Sequence, residues 1–139
     1  MIRPATSADL PAIRALQSCL TDPASDLFDD LPLGLTFVSV PTDRDGSMPV
    51  GYVHAFTGNP AYVSELAVAP AHRREGHGRR LLSHVLTRLE RDGYPTATLT
   101  VATDNDGARQ LYASLGFVVD EELPGFYDSG QDALRLRRG

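Results

Sequence analysis

The stretch from Ala69 to Leu82, Ala-Pro-Ala-His-Arg-Arg-Glu-Gly-His-Gly-Arg-Arg-Leu-Leu, constrains what this chain can fold into more than any other. β-type residues from Tyr62 to Val68 lead into it, and Pro70 ends that strand because proline has no N–H to give to a ladder. After Gly76 and Gly78, the residues Leu81, Leu82, Val85, Leu86 and Leu89 recur at helical spacing. A strand, a glycine-bearing loop and a helix in this order bring together unpaired backbone N–H groups and the positive end of a helix dipole, which suits a phosphate. Glycine at 76 and 78 removes the Cβ atoms that would hold an anion off the backbone. Arg73, Arg74, Arg79 and Arg80 concentrate four positive charges here in a chain of net charge −5. A solvated, charged helix start would explain the arginines alone. The strand before and the apolar helix after favour an anion cradle.

Two common phosphate-binding patterns do not fit. A P-loop needs a Gly-Lys-Ser/Thr ending, and the chain has no lysine. The dinucleotide fingerprint needs a third glycine where Leu81 stands. A nucleotide-binding regulatory domain is disfavoured on both counts.

The 139 residues are read as one domain, 1–139, long enough to bury a core. No apolar run approaches the ~20 residues a membrane span needs, and Met1-Ile2-Arg3-Pro4 has no signal-like apolar core. The single cysteine, Cys19, cannot form an internal disulfide, so a cytoplasmic location is expected. Its neighbours Ala15, Leu16 and Leu20 suggest a packed helix residue and not a nucleophile. The acidic balance argues against general nucleic-acid binding.

Along the chain, Ile2–Pro4 reads as a short strand. Thr6, Ser7 or Asp9 then caps a helix carrying Leu10, Ile13, Leu16, Gln17 and Leu20. Residues 21–31 set four aspartates around Leu27 and Phe28, a short amphipathic helix or a loop, most simply a solvated face. Leu35–Val40 and Val50–Phe56 read as a hairpin with a long tip rich in Asp, Gly and Pro. His54 on its second strand is expected to be structural. The helix after the glycine loop ends at Gly93, before Pro95, and Thr96–Val101 alternates as a strand. Thr103 to Asp106 offer caps for a helix presenting Ala108, Leu111, Tyr112 and Leu115. Phe117–Val119 and Ala133–Arg137 are the last strands, and Asp120, Glu121 and Glu122 read as turn solvation.

Arg73-Arg74-Glu75-Gly76-His77-Gly78 fits (Arg/Gln)-x-x-Gly-x-(Gly/Ala), the loop with which the GNAT acetyltransferase superfamily cradles the pyrophosphate of acetyl-CoA. Leu66-Ala67-Val68-Ala69-Pro70 resembles that family's fourth strand. A second motif, Asn-x-x-Ala-x-x-Leu-Tyr-x-x-x-Gly-Phe, matches Asn105, Ala108, Leu111, Tyr112, Gly116 and Phe117. The resemblance is most specific over 61–117. It departs at Glu75, which brings a negative charge into the loop, and at His77, which replaces an apolar residue. The resemblance implies an α/β (α+β) GNAT fold, a mixed, mostly antiparallel sheet of roughly six to seven strands with about four helices, splayed between strands 4 and 5.

The resemblance also implies roles. Acetyl-CoA is the co-substrate, with no metal. Backbone N–H groups from Arg74 to Arg79 take the pyrophosphate, so Arg73, Arg74, Glu75, Gly76, His77, Gly78 and Arg79 form the cofactor loop. Leu66, Ala67 and Val68 line the acetyl and pantetheine end, Val68 helps stabilise the oxyanion, and Asn105 and Ala108 flank the pantetheine arm. Tyr112 contacts the cofactor and is the general acid, since a phenol of pKa ~10 can protonate a thiolate whose thiol has pKa ~8.5. Read from its residues alone, Tyr112 belongs to the helix's apolar stripe.

Glu65 is the candidate base. Strict alternation puts it on one face with Val63 and Ala67, and a bulge would change the face it sees. A surface salt bridge is its other reading. The expected reaction is direct transfer to a primary amine, either a small molecule or a protein N-terminus, without nucleic acid or membrane; a homodimer is common in the family. The alternative is a non-catalytic acyl-CoA-binding sensor or partner module, which an intact Tyr112 disfavours.

Overall fold

The structure, a computed structural model, describes residues 1–20, 35–41 and 48–139. The reading of residues 21–31 and most of the hairpin tip lie outside these residues. Seven strands form one sheet: β1 (Ile2–Pro4), β2 (Leu35–Ser39), β3 (Gly51–Phe56), β4 (Ala61–Val68), β5 (Ala97–Ala102), β6 (Val118–Leu123) and β7 (Ala133–Arg138). Their order is β1-β2-β3-β4-β5-β7-β6, antiparallel except for the parallel β4–β5 pair. The three α-helices among the described residues are α1 (Leu10–Gln17), α2 (His77–Arg91) and α3 (Asp106–Ser114).

The expected helical stripe of α2 is its buried face. Leu81, Leu82, Val85, Leu86 and Leu89 are each at most 3% exposed and pack on Phe37, Val53, Val63, Leu99 and Leu136 from the sheet. Burial of such side chains contributes roughly 2 kcal/mol each, which fixes the helix to the sheet. A separate core joins Ile13 and Leu16 of α1 to Val38, Tyr52 and Ala67. The helix α1 is shorter than its apolar pattern suggests: it ends at Gln17, so Leu20 and Cys19 lie in the turn beyond it. Its entry is fixed by Asp9, which is buried. The carboxylate accepts two hydrogen bonds from Arg3 (2.7 and 2.9 Å) and one from the Thr6 N–H (2.8 Å). The Arg3 hydrogen bonds hold the Asp9 carboxyl below its ordinary range against the opposing effect of burial.

A bulge in β4 decides what faces each core. Ala55 pairs with Val63 and His54 with Glu65, so Ser64 is the extra residue. Val63 and Leu66 therefore both contribute to the core under α2, whereas Ala67 joins the α1 core. Unbroken alternation would have kept Val63 and Glu65 on one face. The acids at 120–122 are not in a turn. They lie inside β6, the edge strand, where Asp120 and Glu121 form ion pairs with Arg135 of β7. Charge on an exposed edge discourages pairing with another chain.

Leu82 is fully buried. Leu82→Ala is expected to lower unfolding free energy by about 3 kcal/mol, read by denaturant titration with an unchanged m-value.

Candidate active site

The β4 and β5 strands pair at only two positions, Ala61 with Ala97 and Tyr62 with Thr98. Beyond them the strands part, and a cleft of about 730 Å³ opens, walled by Val63–Val68 on one side and Leu99–Ala102 on the other. This is ample for a cofactor-sized ligand. The β4 edge facing the gap carries backbone groups. Ala69 donates its N–H to Val50 O (2.8 Å) on the β3 side, and period-two alternation turns the N–H groups of Val68 and Leu66 toward the cleft. The Arg73 Nε donates to Val68 O at 3.4 Å from the same side.

The loop closes one end of the cleft. Arg74 and Gly76 both adopt left-handed backbone, with φ of 64° and 86°, so the chain reverses sharply before α2. A non-glycine residue there costs on the order of 1 kcal/mol, the kind of strain found at functional turns. Gly76 is the N-cap and supplies no side chain, which leaves the first N–H groups of α2 without a side-chain cap. A Cβ built on Gly78 would lie 3.6 Å from a Leu111 methyl and 3.8 Å from a Val68 methyl. Position 78 thus faces the gap between β4 and α3, and a side chain there would occupy part of that gap. Arg73, Arg74 and Arg79 line the cleft; Arg79 is tethered to Ser114 Oγ (2.6 Å), and Arg74 has no hydrogen-bond or ion-pair partner among the described residues.

Glu75 and His77, the two departures from the motif, do not line the cleft. Glu75 Oε1 faces His72 Nδ1 at 3.1 Å and His77 Nε2 at 3.2 Å, and these hydrogen bonds, His72 first, hold its carboxyl below the usual range. His77 Nδ1 contacts Ser39 Oγ (2.8 Å). The carboxylate is turned away from the cleft toward histidines on either side of it in the chain.

From α3, Asn105, Gly107, Ala108, Leu111 and Tyr112 complete the wall. Asn105 caps its helix, with Oδ1 accepting from the Ala108 N–H at 3.2 Å. Tyr112 is partly buried and meets Phe117 edge-on, ring centroids 6.1 Å apart, so it both packs on the core and borders the cleft. Burial, reinforced by nearby Tyr127, has its phenol pushed up to about 12. It stays a proton donor throughout the physiological range.

Glu65 lines the cleft yet is only 6% exposed. Its Oε1 accepts from Tyr52 OH at 2.7 Å and from Gln17 Nε2 at 2.9 Å. Neither a surface salt bridge nor an isolated carboxylate, it is anchored in a buried network between β3 and α1. Burial, then the bond to Glu65, raises the Tyr52 phenol far above its ordinary range, fixing it as the donor. Beside it, His54 Nδ1 lies 2.5 Å from Ser64 Oγ at the bulge, and burial lowers the imidazole's pKa, against the pull of Glu65. Cys19, Leu20, Thr100 and Tyr127 also line the cleft. The sequence carries no spacing signal for them, since each stands in a turn or in the divergent part of β5.

The sequence model of the acetyltransferase (GNAT) family matches residues 8–117. The chain is 40% identical over 83 residues to N-alpha-acetyltransferase 40 of Saccharomyces cerevisiae, a match covering 55% of this chain and 29% of that protein. It is 33% identical over 104 residues to the [ribosomal protein bS18]-alanine N-acetyltransferase of Escherichia coli, covering 73% of this chain and 70% of the relative. The crystal structure of the E. coli ribosomal-protein-S18-alanine N-acetyltransferase superposes with a TM-score of 0.84 at 27% identity, over 99% of this chain and 92% of the other. A chain of the NatC complex bound to Gag peptide and CoA shares the fold at a TM-score of 0.89 and 20% identity, over 99% of this chain and 96% of that one.

The Tyr112 environment can be read directly. The difference in alkaline tyrosinate absorbance between the wild type and Tyr112→Phe should titrate near pH 12; titration near 10 would show an unburied phenol.

Proposed function

The chain belongs to the acetyltransferase (GNAT) family, and we propose that it transfers the acetyl group of acetyl-CoA to the α-amino group of a protein N-terminus. The observation that carries this reading is the parting of β4 from β5 directly above a glycine-capped helix start, with Tyr112 on the facing wall. The acceptor class is supported by relatives named for alanine of a ribosomal protein and for N-alpha acetylation.

The pyrophosphate lies against the first N–H groups of α2, where the helix dipole and Arg73, Arg74 and Arg79 oppose its charge. The pantetheine arm runs along the open edge of β4. A thioester carbonyl at the Val68 end takes the N–H of Val68 or Leu66 as its oxyanion donor. The neutral amine attacks the carbonyl carbon, forming the C–N bond. The tetrahedral intermediate then collapses with loss of the C–S bond, and Tyr112 gives its phenolic proton to the departing thiolate. The proton released by the attacking nitrogen restores the Tyr112 phenol through water. No covalent enzyme intermediate is required.

Glu65 is the proposed base. An α-amino group has pKa ~8, so a substantial part of it is protonated at neutral pH and cannot attack. Glu65 stands three residues back from Val68, about 10 Å along β4, and water molecules filling the cleft between them relay the proton. Tyr52 and Gln17 hold one oxygen of the carboxylate and so fix its orientation. Held in this buried network, the carboxylate is anchored on the β3 and α1 side, which favours relay through water over direct abstraction.

Release of thiol from acetyl-CoA, measured with short peptides of differing first residue and with small amines, tests the activity and its acceptor together. Peptide-dependent release is expected. Cofactor binding with no turnover on any amine would instead indicate an acyl-CoA-binding module. Tyr112→Phe should keep CoA affinity and lower turnover by about 10²-fold or more.

Gly78→Val should fold normally and weaken CoA binding by roughly tenfold or more, because the added side chain fills the gap beside Leu111. Unchanged affinity in calorimetry would move the phosphates elsewhere.

Glu65→Gln keeps an oxygen for Tyr52 and Gln17 but loses the negative charge. Its kcat/KM should fall most near neutral pH, with the deficit shrinking as pH rises and free amine accumulates. Parallel pH profiles would remove Glu65 from the proton path.

A further inference from the structure

Outside the cleft, three metal-ligating side chains converge on one point of the loop. His72 Nδ1 and His77 Nε2 lie 3.1 and 3.2 Å from the same oxygen, Glu75 Oε1. The three ligand atoms all fall within 4.8 Å of one another, the only grouping of its kind among the described residues. We infer that His72, Glu75 and His77 form a binding site for a divalent transition-metal ion of the zinc, cobalt or nickel class.

The spacing fits. Bonds of about 2.0–2.1 Å in a tetrahedral array place neighbouring ligand atoms about 3.3 Å apart, close to both observed separations. An ion can therefore replace the two shared hydrogens with small side-chain movements. Two imidazoles and a carboxylate suit borderline cations, whereas magnesium and calcium require mostly oxygen ligands. The backbone brings the ligands together before any ion arrives. Left-handed Arg74 and Gly76 flank Glu75, and the Glu75 carbonyl accepts from Arg80 at 3.1 Å. His72 is held at the end of its turn by an N–H bond to Ala69 O (2.9 Å).

The outer partner of one ligand is also in place. Ser39 is fully buried, and its Oγ lies 2.8 Å from His77 Nδ1. With a metal on Nε2, the ring carries its proton on Nδ1 and donates it to Ser39, while Arg80 Nη2, 3.4 Å from that nitrogen, turns away. Access from solvent is open, since the Glu75 and His72 side chains are 52% and 39% exposed.

The ion would tie the short turn before Arg73 to the first residue of α2, bracing the strained reversal between them. Because Glu75 and His77 do not line the cleft, it takes no part in the acetyl transfer itself.

The test uses tag-free, chelator-treated protein with no acyl donor present, so it is independent of the proposed activity. Calorimetric titration with Zn²⁺ should give one saturable site, and Co²⁺ should give ligand-field absorption at the same stoichiometry. His72→Gln and Glu75→Gln should each weaken Zn²⁺ binding by roughly tenfold or more, and Ser39→Ala by roughly tenfold. His84→Gln, a histidine packed on Phe37, should leave it unchanged, and Mg²⁺ should give no saturable heat. Absence of saturable Zn²⁺ binding, or binding that survives both His72→Gln and Glu75→Gln, would overturn the site.

Discussion

The structure depends on a sheet that is interrupted in its middle. Two adjacent parallel strands, β4 and β5, share only two paired positions before they separate. A strand edge inside a protein ordinarily finds another strand, because unpaired backbone polar groups are costly away from water. Here the sheet is continuous on either side of the gap, through β3 on one flank and β7 on the other. The α2 helix spans the underside with five buried aliphatic residues, drawing on both halves of the sheet for its core. The strands are thus held together by side-chain burial and apart by the lack of pairing, and the cleft is the consequence. Everything proposed for catalysis uses an element that meets this gap: the open edge of β4, the start of α2 and the inner face of α3.

The charge pattern follows from the same geometry. A chain of net charge −5 places three arginines at the mouth of the cleft and turns the one acid of the loop outward, between two histidines. The result is a local positive field that the overall charge does not suggest. Within the cleft the sign reverses around Glu65, three residues along the strand. One strand therefore leads to the proposed anion site at its end and carries a carboxylate nearer its middle.

Much of this was legible in the sequence because it rests on local rules. The α2 stripe, the glycines at 76 and 78, a helix cap among residues 103–106 and the strand at 62–68 are each set by spacing or by backbone demands within a few residues. What escaped depends on distant partners. Glu65 could not be placed, because its environment comes from Tyr52 and from Gln17, 48 residues earlier, and because the Ser64 bulge shifts the face of the strand. The acids at 120–122 looked like a turn because edge strands tolerate charge on positions that an inner strand would bury. The apolar neighbours of Cys19 suggest a helix through it, whereas α1 ends two residues before it. Glu75 belongs to the cofactor loop by motif, and it is its near neighbours His72 and His77 that hold its side chain away from the cleft.

The central claim is that the cofactor lies along the gap, with its phosphates at the start of α2. Backbone amide NMR during titration with CoA tests this most directly. The account predicts saturable shifts at Leu66, Val68, Gly76, Gly78 and Arg79, with the amides of the β6 edge strand unmoved. Saturable CoA binding that leaves those five amides unperturbed and instead shifts the outer face of α2, around Ser83, Thr87 and Arg91, would contradict it.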